Sequence, residues 1–498
     1  MSKGIHAIPD DVIILVMYFL EVWDLASLAC TCKNFHYLVE EYGWSICLRL
    51  NPRMSHSLQK SLKLWSTKEQ LRYHTITDNH WHCEEFIARP FPVQWTTKFQ
   101  PTLVINSTRL LLAAGNTIYS YIFASSHSPN HAPRVHLECT YLTSNMVHPQ
   151  LDITSLVCVP DGGMDRTVYV GYASGVLERL VLPPPNDGHD PSIPIQVIVE
   201  KSYDFHTNDL IENISISSSH LLSLSASGNV VYLPLEHSQT PPQLLQLNSR
   251  CWSSYLSTRS SSPYAAFCSS SMGPLAIHEV SSSGLSHDPS AFLQSCSGGF
   301  KYSAVYAIDG APIGSPWGSS DQILISGWYD GFINVHDLRT PSRTDHSDPL
   351  QKPAHDPVLS LADPWSFEPI YSISSGGGSG SYVVAGSARH SVVAFFDVRA
   401  PTKGWSVHAP GNDSSPVYSV IVDGPRVFGA TQSRGFVFDF GPGVQEDTYP
   451  PVELVHNSRN GGRRQRPRPA AQDQFKRSPK NPVGFYVTKY GHSQGKGW

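Results

Sequence analysis

The chain has little charge. Asp, Glu, Lys and Arg make up 15% of its 498 residues, against roughly 25% in ordinary soluble domains. A net charge of −5 gives no overall attraction to nucleic acid or to an anionic membrane, so neither is expected as a partner. No apolar run is long enough to span a bilayer. VIILVMYFL, at residues 12–20, has the length of a signal-peptide core. It follows Asp10 and Asp11 instead of a basic region, however, and no small-residue cleavage pattern comes next. The nine cysteines are scattered and contain no Cys-x-x-Cys pair, which reads as reduced thiols in the cytoplasm, the nucleus or both. Catalytic signatures are missing too: there is no Gly-x-Ser-x-Gly elbow, no His-Glu-x-x-His and no zinc-ligand cysteine set. SSGGGSGS from Ser374 lacks the Gly-Lys-Ser/Thr of a phosphate loop and reads as a flexible connection. His80, His82 and Cys83 could ligate a metal, but no second ligand pair follows at zinc-site spacing. No catalytic residue, cofactor or metal is therefore expected, although carboxylates from distant segments can still meet in a folded chain.

Residues 8–50 are compact, helical and unlike the rest. Ile8-Pro9 followed by Asp10 and Asp11 is a helix start, because proline suits the first turn and acids favour the positive end of the helix dipole. Val12, Ile13, Leu15, Val16, Phe19 and Leu20 recur at mixed three- and four-residue spacing, so the helix is apolar around much of its circumference. Trp23-Asp24 breaks the run, with Asp24 placed to cap a second helix carrying Leu25, Leu28 and Ala29. Lys33 to Leu50 supplies a third, with Phe35, Leu38, Trp44 and Leu48. Three such helices fall below the size at which a core is usually self-sufficient. A partner surface is expected, whether another protein or the chain's own second domain.

Ile8-Pro9, Asp11, Phe19-Leu20, Asp24-Leu25, Ala29, Cys32-Lys33, Phe35 and Trp44 to Leu48 together resemble an F-box. Ile8 stands for its usual leucine, Thr31 for valine and Phe35 for tryptophan. The resemblance covers about a tenth of the chain. It implies docking on the Skp adaptor of a cullin–RING ubiquitin ligase, and the positions expected to bind the adaptor are Ile8, Pro9, Val12, Ile13, Leu20, Leu25, Leu28, Cys32 and Phe35.

Residues 51–98 read as a partly helical linker. Beyond it the texture changes to short alternating strands separated by Gly, Ser, Pro and Asn. Seven hairpins recur at about 45–60-residue intervals, starting at Leu110, Val168, Leu221, Ala265, Ile323, Tyr382 and Val427, most with another alternating run upstream. That is the signature of β-propeller blades. A β-sandwich would need fewer, differently spaced strands. SGWYDGFINVHDLR, with HDPVLSL from His355, is similar to a WD repeat, and Asp397-Val398-Arg399 repeats its end. His336 occupies the position of the WD tryptophan.

The expected organisation is thus multidomain: a small all-α three-helix F-box domain at 5–50, the linker at 51–98, and an all-β, WD-repeat-like propeller at 99–445. The propeller is expected to have seven blades, with six or eight left open. A basic segment follows at 446–482, then a C-terminal strand or tail at 483–498. Ring closure is expected from CEEFIARPFPV at Cys83 or, more attractively, from GFYVTKYG at Gly484. The basic run at 457–481 reads as a solvated loop or, alternatively, an import signal or phosphate contact. Arg109, Arg179, Arg250 and Arg259 cannot be placed on one face, and Arg389 and Arg434 in hairpin turns read as exposed charges. The resemblance implies that the propeller holds a protein target, phosphorylated or not, with cullin reached through the adaptor. The alternative is a propeller scaffold with no ubiquitin-ligase role.

Overall fold

The structure, a computed structural model, describes residues 8–95, 99–235, 241–296, 302–340, 353–411, 414–452, 477–478 and 481–492. Six α-helices come first: α1 (Asp10–Met17), α2 (Val22–Ala29), α3 (Lys33–Leu38), α4 (Trp44–Leu50), α5 (Gln59–Leu62) and α6 (Thr67–His82). A single π-helical turn, Val39–Gly43, joins α3 to α4, so the expected third helix is continuous but underwound at its centre. Asp24 lies inside the first turn of α2, where its carboxylate accepts from the Glu21 N–H at 3.2 Å. Trp23-Asp24 therefore begins a helix instead of preceding one. Ser66 and Glu69 cap α6 reciprocally, which satisfies two donors that a helix start leaves orphaned.

The rest is mostly antiparallel β-structure in a propeller-like ring. Each of the seven expected hairpins forms, for example Arg109–Ala114 with Thr117–Phe123 and Tyr382–Ser387 with Val392–Asp397. Their glycines serve the turns. At Gly175 φ is +90° and a Cβ would fall 1.9 Å from the His206 carbonyl oxygen, so no other residue fits without rearrangement. The described strands pair into six sheets, which corrects the expectation of seven separate blades. The cause is local: Ser270 and Ser271 pair with Ala304 and Ser303, so two neighbouring meanders share one ten-stranded sheet.

Strand Ile87–Gln94 pairs antiparallel with Arg434–Asp439, bringing Pro90 opposite Phe436. The ring thus closes through the stretch after Cys83, within the span read as linker, and the β-region begins at Ile87 instead of residue 99. Two prolines are tolerated because this strand is the sheet's outer edge. The segment after Gly484 adds a short fifth strand, Lys489–Gly491, to the edge strand Gly404–His408; it does not close the ring. Most of the basic run lies outside the described residues. Arg477, which is described, pairs with Glu446 at 2.9 Å.

His336, in the position of the WD tryptophan, is fully buried. Its Nε2–H donates to the Gln294 carbonyl at 2.8 Å, while Nδ1 has no hydrogen-bond partner. Burial pulls its pKa down to about 4, so the folded chain keeps this ring neutral while the unfolded chain protonates near pH 6.5. The unfolded state then binds the extra proton, and stability should fall as pH drops from about 6.5 towards 4, by up to about 3 kcal/mol from this group. Urea midpoints at pH 7 and pH 5 measure the fall. The difference between them should shrink in His336→Gln.

Candidate functional site: two faces on opposite sides of the ring

The helical domain packs Ile13, Met17, Leu25, Phe35, Leu38, Val39, Trp44, Ile46 and Cys47 around one core, completed by Leu71 of α6. Ile13 and Met17, four residues apart, hold the inner side of α1. Its outer side carries Val12, Leu15 and Val16, and Phe19 follows in the next turn; these are 42%, 61%, 45% and 87% exposed. Their three- and four-residue spacing puts them on one stripe. Trp23 at the start of α2 is 70% exposed beside them in sequence. Among the nine positions expected to bind an adaptor, Ile8, Pro9 and Val12 are exposed, Leu20, Leu28 and Cys32 are half-buried, and Ile13, Leu25 and Phe35 are buried. The last three sit in the helical core. Leu15, Val16 and Trp23, missing from that expectation, are exposed. The signal was present in the spacing, since a helix apolar all round must offer one side to its own core and the other to something else.

The helical domain is tied to one face of the ring. Asp423, at the end of the innermost strand Val417–Asp423, accepts from Ser55 Oγ at 3.2 Å and from the Ser57 N–H at 2.9 Å. The Trp65 indole N–H donates to the Ser126 carbonyl at 2.8 Å. At the far end of α6, Trp81 is fully buried, stacked on Phe440 at 3.9 Å and tilted against Tyr382 at 4.7 Å. SSGGGSGS turns out to be the floor beneath it. Gly377 has φ +70° and would place a Cβ 2.4 Å from the Trp81 ring. His80 bonds through Nδ1 to the Phe440 carbonyl at 2.8 Å, and no group of three or more His, Cys, Asp or Glu is placed to hold a metal among the described residues.

The opposite face opens into a cavity of about 420 Å³ lined by one strand from each successive meander: Thr102–Ile105, Ile153–Cys158, Ile211–Ser217, Arg250–Ser257, Ser303–Gly310, Ile370–Gly376 and Val417–Asp423. Near the starts of the last four stand Trp252, Tyr306, Tyr371 and Tyr418. Asp423 and Gly376 end two of the same strands, on the side where the helices dock. The strands therefore carry helical domain and aromatic residues at opposite ends. Trp252 and Tyr306 meet edge to face at 4.8 Å, while Tyr306 and Tyr371 at 5.1 Å and Tyr371 and Tyr418 at 6.1 Å are tilted. Glu212 also lines the cavity. Burial raises its carboxyl pKa while Arg250, at 2.9 Å, opposes that rise.

The arginines do not converge. Arg109 is buried beside Glu138, Arg179 pairs with Glu200 at 3.3 Å, and Arg389 pairs with Glu368 at 3.5 Å. Arg434 is only 7% exposed, contrary to the expected surface charge.

The chain is thus a helical domain with an exposed apolar stripe, mounted on a propeller-like platform. Comparison with known families identifies the first part: the F-box domain matches residues 5–42. No curated protein matches the chain.

Proposed function

We propose that this chain is the target-holding subunit of a Skp–cullin–F-box ubiquitin ligase. The F-box domain docks on the Skp adaptor, the ring binds a protein target, and α6 fixes one relative to the other. Chemistry is done by the conjugating enzyme that cullin brings. The chain contributes proximity, turning an encounter between enzyme and target into an effectively intramolecular one. The observation that carries the reading is the exposed stripe Val12, Leu15, Val16 and Phe19 within a matched F-box domain. Burying four such side chains contributes on the order of 6–12 kcal/mol gross, enough to offset much of the cost of association. Scattered cysteines without a disulfide support a cytoplasmic or nuclear setting.

Capture of purified Skp adaptor by the full chain tests it. Val12→Glu combined with Leu15→Glu should lower capture at least a hundredfold and leave the unfolding temperature unchanged, because neither side chain is in the core. Leu25→Asp should lose capture together with helical-domain stability. Undiminished capture by the folded double variant would refute the interface. Capture of adaptor without cullin by the unmodified chain would favour a scaffold.

A further inference from the structure

Among the described residues, the mouth of the ring holds aromatic surface and no spare positive charge. Its lining, among the described residues, contains Trp252, Tyr306, Tyr371 and Tyr418, one carboxylate, Glu212, and neither lysine nor arginine. The guanidinium paired with that carboxylate, Arg250, is already committed. It pairs with Glu212 at 2.9 Å, donates to the Ala226 carbonyl at 3.2 Å and lies 3.9 Å over the Trp252 ring. The aromatic arc continues outward, since Tyr329 lies 6.4 Å from Tyr306 and is 58% exposed, and Tyr302 is 72% exposed.

A phosphate brought here would meet a carboxylate and ring faces. It would have to strip Arg250 from two partners before gaining a charge-assisted bond. An apolar side chain meets the reverse: rings that stay half-buried without it, hydroxyls able to serve a peptide backbone, and a volume that suits one or two side chains. Rigid aromatics that combine apolar faces with polar tips recur where extended peptides dock without charge, because little side-chain entropy is lost on binding.

We propose that the mouth binds an extended, unphosphorylated segment of a target protein, anchored by an apolar side chain, Pro, Leu, Phe or Trp, that enters the cavity against Trp252 and Tyr306. This deepens the target-holding reading and rests on it for biological meaning, but the binding itself does not require the adaptor.

The probe is an array of degenerate eleven-residue peptides, each with one fixed central residue, incubated with the purified full chain. Peptides fixed at Pro, Leu, Phe or Trp should retain at least five times more protein than those fixed at Gly, Asp or phosphoserine. Tyr306→Ala and Trp252→Ala should each remove at least four-fifths of that signal with adaptor capture unchanged. Tyr329→Ser, on an exposed side chain whose loss leaves the fold intact, should weaken it in the same direction. Strongest retention by phosphoserine peptides, equal retention by all fixed residues, or signal that survives all three substitutions would overturn the proposal. Peptide binding by an unmodified chain that captures no adaptor would leave this proposal standing and refute the ligase reading alone.

Discussion

Trp81→Ala should destabilise the chain by about 3–5 kcal/mol, the usual cost of emptying a buried tryptophan site. Relief of one unsatisfied buried donor offsets only part of the loss. The indole N–H has no hydrogen-bond partner, so truncation removes packing alone: the stack on Phe440, the contact with Tyr382 and that with Phe395 at 5.9 Å. The hydrogen bond from the Tyr382 hydroxyl to the Trp81 carbonyl, 3.2 Å long, is to the backbone and survives the substitution. The effect should concentrate at the junction, because α6 contributes Leu71 to the helical core and Trp81 to the ring core. Urea denaturation reads the total, and hydrogen exchange over residues 67–86 reads where it falls. Gly377→Ala should act in the same direction at about 1–3 kcal/mol, through overpacking against the indole and strain at positive φ. If Trp81→Ala left both stability and exchange unaltered, the two domains would not be held through this contact.

Arg426→Met should cost a similar 3–5 kcal/mol, for an electrostatic reason. Arg426 and Asp439 face each other across neighbouring strands, with side chains fully buried and Nε to Oδ2 at 3.1 Å. The guanidinium also donates to the Pro133 carbonyl and lies 5.6 Å from the Tyr449 ring. Asp439 receives the Tyr449 hydroxyl and the Gly441 N–H as well. Removal of the arginine strands a carboxylate in the interior with two donors where it had three. Replacing both partners, Arg426→Met with Asp439→Leu, should cost less than the sum of the single changes, because the unpaired charge disappears with its partner. Equal additivity in a thermal-denaturation cycle would mean that the two do not interact.

The helical domain was legible in the sequence because its positions carry distinct residue types in fixed order, from Ile8-Pro9 to Trp44. What the sequence could not apportion was the side of each residue. Ile13 and Val12 are both apolar and adjacent, yet one is core and the other surface, and that split depends on where α2 and α6 pack. The hairpins were legible from alternation ending in glycine. Fusion of two sheets was not, because Ser270, Ser271 and Ser303 look like turn residues until another strand comes alongside. Trp81 and the glycine floor lie about 300 residues apart, and neither advertises the other. The aromatic mouth was invisible for the same reason: Trp252, Tyr306, Tyr371 and Tyr418 each occur once per repeat, and only closure of the ring brings them together.

Closure through Ile87–Gln94 also sets a timetable. This strand leaves the ribosome before every other strand but has no partner until Arg434–Asp439 has been made, and at about 5–20 residues per second that wait is on the order of tens of seconds. The helices complete their own core early, apart from the end of α6, where Trp81 must await Tyr382, Phe395 and Phe440. A nascent chain that stops short of residue 440 therefore displays an unpaired strand edge and an uncovered indole together, which are features that chaperones and degradation machinery recognise. Premature termination anywhere in the ring should be conspicuous to the cell's quality control, and the missing final meander, not the helical domain, would be what gives it away.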